Sequence, residues 1–287
     1  MNPPATNSDW FTEISQEGGT AFSLKLHSKL HEEQSPYQKI EVYKTKHFGN
    51  LLVIDGFVML SERDNFIYHE MMAHTVLFSH HSPRHVAIIG GGDCGTLKEV
   101  AKHSCVEKIT QIEIDERVTR LSEKYFPDLC TANSDSRVLF EFQDAINWMQ
   151  NAPNQDIDII IIDSTDPIGP AEGLFQKEFY SSCLNALTAD GLIIQQSESP
   201  LVHWDSITQP MHAEMQSAGF EQTKTLFFPV PVYPTGWWSA TMAAKNDIHL
   251  VRDTDAKNLG FDTKYYNYDV HLSAFAKPTF LQSTTQD

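Results

Sequence analysis

Two aspartates that leave an apolar strand three residues apart give the strongest chemical signal in the chain. The stretch Asp158-Ile159-Ile160-Ile161-Ile162-Asp163-Ser164-Thr165-Asp166-Pro167-Ile168-Gly169-Pro170 runs from consecutive isoleucines into a turn stiffened by Pro167 and Pro170. An Asp-Pro turn explains Asp166-Pro167 but not a second acid at the strand end. Carboxylates held against a low-dielectric sheet attract cations, and their pKa values can move toward general-base work. A second signal is Gly90-Gly91-Gly92-Asp93-Cys94-Gly95, which interrupts a β-branched run before a helical pattern resumes. Without a Cβ such a turn lets a ligand press on main-chain N–H groups, helped by those of the helix beginning near Gly95. Gly90, Gly92 and Gly95 satisfy G-x-G-x-x-G, so the bare pattern fits a dinucleotide or another adenosyl cofactor. Asp93 separates the two readings. Like charges about 4 Å apart cost on the order of 1–4 kcal/mol, so a pyrophosphate is disfavoured beside it and a cationic group is welcome. Its structural alternative is to cap the following helix.

The elements that must position these acids are strands and helices in near-strict alternation. After His85–Ile89 come a helix from Gly95, strand Ile109–Ile114, helix Asp115–Phe126, strand Val138–Phe142, helix Asp144–Met149 and strand Ile157–Ile162. Such alternation predicts a doubly wound parallel sheet, in which ligands sit outside the carboxyl ends of the strands. The rule selects Asp93, Glu113, Asp144 and Asp163. Glu113 lies where a carboxylate accepts both hydroxyl hydrogens of a ribose, or else caps a helix. Asp144, followed by the small Ala145, suits an adenine amino group, the N-cap of its helix, or both.

Upstream, Ala21–Leu26, Tyr37–Tyr43, Leu51–Ile54 and Phe57–Leu60 read as short strands, with Asp55-Gly56 as a two-residue hairpin turn. A β domain of this size buries little surface alone, so it should pack on the next domain or on another subunit. The expected division is 1–63 for this antiparallel β domain and 64–287 for the Rossmann-like domain. Between them Glu62–Met72 opens a helix with Phe66, Ile67, Met71 and Val76 as its buried face. Tyr68 and His69 on that helix are ordinary packing residues by type, and only their nearness to the glycine turn makes them candidates.

The chain has 287 residues, 41% of them hydrophobic, which suits a large α/β core with a smaller companion. Its 21 basic residues against 38 acidic ones give a net charge of −17, which excludes general nucleic-acid binding and favours cationic small molecules. Cys94, Cys105, Cys130 and Cys183 form no C-x-x-C pair, so neither a zinc site nor a disulfide framework is expected. Met1–Asp9 has no signal-peptide pattern and no apolar run approaches membrane-spanning length, so a cytoplasmic protein is expected. Gln282–Asp287 reads as a free tail.

Taken together these motifs resemble the spermidine synthases (putrescine aminopropyltransferases). That family carries a G-G-G-D-G-G type of turn, an acid in E-I-D, an acid before a small residue at the third strand, and D-S-S-D-P-x-G-P. The corresponding residues are Gly90–Gly95, Glu113-Ile114-Asp115, Asp144-Ala145 and Asp163–Pro170. Similarity continues through Tyr37-Gln38, Gly56 and Glu62–Glu70, and through Tyr233–Gly236 and Tyr265–Asn267, so that it covers nearly the whole chain.

The resemblance implies transfer of the aminopropyl group of decarboxylated S-adenosylmethionine to putrescine, giving spermidine and methylthioadenosine. It implies that Gln38, Gly90, Glu113, Asp144, Ala145 and Pro170 hold the adenosine part, and that His69, Asp93, Asp163 and Asp166 hold the amines. Asp163 matches the proton acceptor, and Tyr68 and Tyr233 match tyrosines of the diamine channel. No metal or dissociable cofactor is implied beyond the donor, which is a co-substrate. The unsatisfied faces of the β domain point to a homodimer or homotetramer. Cys94 departs from the pattern by replacing a glycine, Lys98 stands for the usual Arg and Thr165 for Ser. Trp237-Trp238, placed to cover a methylene chain or to serve as plain core, leaves acceptor length open, so cadaverine stands beside putrescine. A methyltransferase using intact S-adenosylmethionine would share the sheet and Glu113, but Asp93 would repel the methionine carboxylate.

Overall fold

The computed structural model describes residues 9–282 apart from 17 and 168, and the backbone alone at Pro170. Of the expected tail Gln282–Asp287 only Gln282 is described; 283–287 and Met1–Ser8 lie outside the described residues. Five strands, β1 (Trp10–Ser15), β2 (Thr20–Gln34), β3 (Lys39–Thr45), β4 (Asn50–Ile54) and β5 (Phe57–Ser61), form an antiparallel sheet in chain order. Asp55 and Gly56 both take positive φ, 51° and 89°, the backbone that a tight hairpin with right-handed strand twist requires. Strand β1 was not expected from the sequence, and β2 spans 15 residues where six were read. Only Leu24 of β2 is buried, so most of the strand has no apolar alternation to announce it. The sheet packs on the rest of the chain: Ile40, Val42, Leu52 and Ile54 share a core with Val118, Leu121 and Phe126.

Helix α1 (Asn65–Phe78) follows. It starts later than expected, and it is not amphipathic: every residue from Ile67 to Phe78 is buried, including His69, Glu70, His74 and Thr75. His69, Glu70 and His74 are matched by internal partners, which is why polar spacing misreads it as a surface helix.

The second sheet holds β6 (His85–Gly90), β7 (Lys108–Ile112), β8 (Val138–Glu141), β9 (Ile157–Asp163), β10 (Leu187–Gln196), β11 (Gln222–Pro229) and β12 (Trp237–Ala244) in the order β11-β12-β10-β9-β6-β7-β8. Strands β8, β7, β6, β9 and β10 are parallel, whereas β12 and β11 join as an antiparallel end. The connecting helices are α2 (Gly95–Ala101), α3 (Glu116–Tyr125), α4 (Ala145–Gln150), α5 (Lys177–Ala186) and α6 (Gln209–Ser217), with α7 (Asp253–Lys257) and α8 (Tyr268–Ala274) closing the chain. The isoleucines of β9 alternate between two cores: Ile159 and Ile161 face α1, and Ile160 and Ile162 face α5 and α6. The chain winds outward in both directions from β6 and β9, and ligands of such sheets occupy the crevice at that switch point. There Gly90 pairs with Asp163, bringing the two chemical motifs abreast. Among the described residues, no helix is long and apolar enough to cross a membrane.

Candidate active site

A cavity of about 240 Å³ opens outside the ends of β6, β7 and β9 and is roofed by Leu52, Val58 and Met59 of the first sheet. Gly90, at φ 78°, begins the turn below it, and a Cβ there would strike the Asp163 carbonyl, which accepts the Gly91 N–H at 2.8 Å. Glycine is therefore required for the turn to lie against β9.

At one end of the cavity stand Gln38, Glu113, Asp144 and Ala145. Gln38 donates its amide N–H to Asp115 (3.0 Å), leaving the amide oxygen as the group it can offer a ligand. Glu113 accepts the Asp115 N–H at 2.8 Å, and burial, reinforced by the neighbouring acids Asp115, Asp163 and Asp93, pushes its carboxyl up to about 7. Asp144 is the N-cap of α4, accepting the Ile146 N–H at 2.9 Å, and it also lines the cavity, so both expected roles are open to it. The side chain of Pro170 lies outside the description.

In the middle, Asp163 is held by two hydroxyls: Tyr68 donates to Oδ1 at 2.7 Å and Thr96 to Oδ2 at 2.6 Å. Burial and the nearby Asp93 push the Asp163 carboxyl above the ordinary aspartate range. Asp93 Oδ1 accepts the Gly95 N–H at 2.6 Å and lies 3.2 Å from His69 Nε2. Capping and charge pairing thus occur together. Burial opposes the Asp93 charge, but His69 and the Gly95 N–H outweigh it and the carboxyl falls below its usual range. The same pair raises His69 despite its own burial. His69 does not line the cavity. Its ring fills the space where a Cβ of Gly95 would lie, so the residue expected to hold an amine reaches only the back of Asp93.

At the other end Asp166 meets two acids that the sequence reading missed. Glu13 of β1 accepts the Val58 N–H at 2.7 Å, and burial together with Asp166 pushes its carboxyl up to about 7. Glu198 is fully buried at φ 65°, accepts from the Gln196 amide at 3.0 Å, and is driven well above its usual range by burial and by the neighbouring Asp166. Neither had a sequence signal: Glu13 is a lone acid in an unread strand, and Glu198 lies beyond the last strand that was read. The wall between is aromatic. Tyr68 packs on Tyr233 at 6.1 Å, and Tyr233 on Trp238 at 4.6 Å. Tyr233 donates its hydroxyl to the Met59 carbonyl at 2.6 Å, so toward a ligand it offers its ring and an acceptor oxygen. Trp238 lines the cavity, while Trp237 turns away to pack on Phe227 and Phe280.

This geometry has counterparts among known proteins. Residues 65–253 match the family model of the spermine/spermidine synthase domain, and residues 9–62 match the spermidine synthase tetramerisation domain. A polyamine aminopropyltransferase of Methylococcus capsulatus is 58% identical over 272 residues, covering 95% of both chains. One from Nitrosococcus oceani is 57% identical over 277 residues, covering 96% of this chain and 97% of that one. Among solved structures, a spermidine synthase in complex with the transition state analogue AdoDATO superposes with a TM-score of 0.90 at 33% identity, covering 95% of this chain and 93% of that one. Spermidine synthase from Thermotoga maritima gives 0.88 at 32% identity, covering 95% and 92%. With a family model spanning most of its length and relatives of more than half identity from end to end, the chain belongs to the spermine/spermidine synthase family of aminopropyl-transferring enzymes.

Proposed function

We propose that the protein transfers the aminopropyl group of decarboxylated S-adenosylmethionine to putrescine, releasing spermidine, methylthioadenosine and a proton. One observation carries this reading: the cavity is lined by seven acids, Glu13, Asp55, Asp93, Glu113, Asp144, Asp163 and Asp166, and by no Lys, Arg or His among the described residues. Such a wall repels phosphates and carboxylates and suits substrates that are cationic at both ends. Glu113, once ionised, accepts the ribose hydroxyls together with the Gln38 oxygen, and Asp144 offers its remaining lone pairs to the adenine amino group. Asp93 pairs with the ammonium of the aminopropyl arm. An intact methionine carboxylate in that place would face Asp93 directly.

Putrescine then lies along the aromatic wall with its far ammonium between Asp166 and Glu13, and with the buried Glu198 behind Asp166. Its near nitrogen must be neutral to attack, and an amine with a pKa near 10 is almost wholly protonated at pH 7. Asp163, made more basic by burial and by Asp93, takes that proton while Tyr68 and Thr96 hold the carboxylate in place. The nitrogen lone pair forms the new C–N bond, the C–S bond breaks, and its electrons leave the sulfonium as a neutral thioether. Ring faces of Tyr68, Tyr233 and Trp238 favour the cationic centres. The reaction needs no metal and no dissociable cofactor.

Residues 1–63 serve assembly and also lend Glu13 and Gln38 to the site, while 64–287 carry the rest of the catalytic machinery. Exposed Trp10, Ile14 and Leu30 on the first sheet are what a homotetramer would cover, and the match of residues 9–62 to a tetramerisation domain supports that assembly over a dimer. Four free cysteine thiols are in keeping with a reducing, cytoplasmic setting. The test is turnover of decarboxylated donor with diamines of three to six carbons. Methylthioadenosine should form only when a diamine is present, fastest with putrescine. Amine-independent release, or a cadaverine rate above that of putrescine, would overturn the assignment.

A further inference from the structure

Aminopropyl transfer leaves the cysteine in the glycine turn unexplained. Cys94 takes φ 68°, a left-handed backbone that favours glycine, and it is fully buried without lining the cavity. Its thiol donates to the Gly92 carbonyl at 3.6 Å. From the loop after α3, the thiol of Cys130 donates to the Asp93 carbonyl at 3.7 Å. The two sulfurs therefore hang on successive carbonyls of the turn that carries Asp93, with the two side chains against each other. Cys130 is half-buried, whereas Cys94 is fully buried. A strained non-glycine residue whose reactive atom faces a second reactive atom is a functional arrangement rather than packing alone.

We propose that Cys94 and Cys130 form an oxidation site at which a hydroperoxide closes an intramolecular disulfide that weakens donor binding through Asp93. Cys130, as its thiolate, attacks the peroxide O–O bond, giving a sulfenic acid and releasing water or an alcohol. Cys94 then attacks the sulfenic sulfur; the S–S bond forms, the S–O bond breaks, and the departing hydroxide takes the Cys94 proton as water. Two thiols lose two electrons to one peroxide, and a dithiol reverses the change. The neighbouring Cys130 and burial raise the Cys94 thiol far above the ordinary range, so Cys130 is the thiol that meets the peroxide first. A disulfide brings the two Cβ atoms to about 3.8 Å and takes both sulfurs off their carbonyls. The Asp93 carbonyl loses its donor, and the turn shifts between Asp93 and Gly95, whose N–H holds the Asp93 carboxylate.

The activity part of this inference rests on the reaction proposed above; the linkage does not. The full-length reduced protein is treated with equimolar hydrogen peroxide, free thiols are alkylated, and peptides are mapped by mass spectrometry beside steady-state kinetics. A Cys94–Cys130 linkage is expected, with a roughly tenfold or larger rise in donor KM, a smaller change in kcat, and recovery on adding dithiothreitol. Cys130→Ser should turn over like the reduced parent and show no rise; Cys94→Gly, which suits the backbone, should also escape and serves if the serine variant misfolds. Single-cysteine oxidation without linkage, linkage without a change in KM, or a loss that persists in Cys130→Ser would overturn the proposal. A reduced parent without any turnover would instead fault the assigned reaction, and the peptide map alone would then decide the cross-link.

Discussion

At the scale of single residues, the acids differ by what surrounds them rather than by type. Asp93 is kept charged by His69, Asp163 is made more basic, and Glu113 is brought close to neutrality. Asp163→Asn should keep donor affinity but lower turnover by roughly 10²-fold or more, the worth of a positioned base. Part of the loss should return at alkaline pH, where more acceptor is already neutral. A pH–rate profile parallel to that of the parent would make Asp163 an anchor only. For Glu113, raised from 4.5 to about 7, the sign is fixed by linkage: in the free protein its contribution to stability is fully present below pH 4.5 and is lost as pH rises through about 7. Ligand binding runs the other way, because only the ionised form accepts two ribose hydroxyls. Affinity for methylthioadenosine should therefore climb as pH rises toward 7 and level off above it. Glu113→Gln should flatten that climb and lose about 1–3 kcal/mol at pH 8 in calorimetry. An equal slope in both proteins would count against the role. Asp93, Glu113, Asp144, Asp163 and Asp166 were legible in the sequence because strand ends and glycines mark them. Glu13 and Glu198 were not, because only tertiary packing brings them to Asp166. His69 was legible as near the site, though not as lying behind Asp93.

Among the elements, α1 departs most from expectation, and its buried polar groups explain why. His74 Nδ1 lies 2.9 Å from His103 Nε2, His74 Nε2 lies 3.0 Å from Glu99, and Arg252 reaches His103 Nδ1 at 3.4 Å. With Arg252 donating, each histidine takes one tautomer and the chain of hydrogen bonds points toward Glu99. Lys102 closes it at 2.6 Å from Glu99. Burial opposes the Glu99 charge, but His74 and Lys102 win and hold the carboxyl down at about 2. This network ties α1, which carries Tyr68 and His69, to α2, which follows Asp93. Glu99→Gln should cost about 1–3 kcal/mol, lowering Tm by several degrees at pH 7.5. An unchanged melting curve by circular dichroism would show that the network contributes nothing. Periodicity found β6 to β9 and α2 to α4, with ends within a few residues, because their apolar runs are dense. It passed over β1, most of β2 and β10 to β12. In β12, Ser239-Ala240-Thr241-Met242-Ala243-Ala244 is buried yet built largely of small and polar residues, so hydrophobic contrast is weak.

For the molecule as a whole, fold class and chemistry point the same way: a switch-point crevice lined by acids, in a protein of net charge −17, draws cations in. The account stands on the donor being cationic where a methyltransferase substrate carries a carboxylate. The most direct test supplies equal concentrations of decarboxylated and intact S-adenosylmethionine with putrescine in one reaction and follows all products by mass spectrometry. Spermidine and methylthioadenosine should appear in equal amounts, with no methylated putrescine and no S-adenosylhomocysteine. Methyl transfer from the intact donor, or products drawn equally from both donors, would contradict the account.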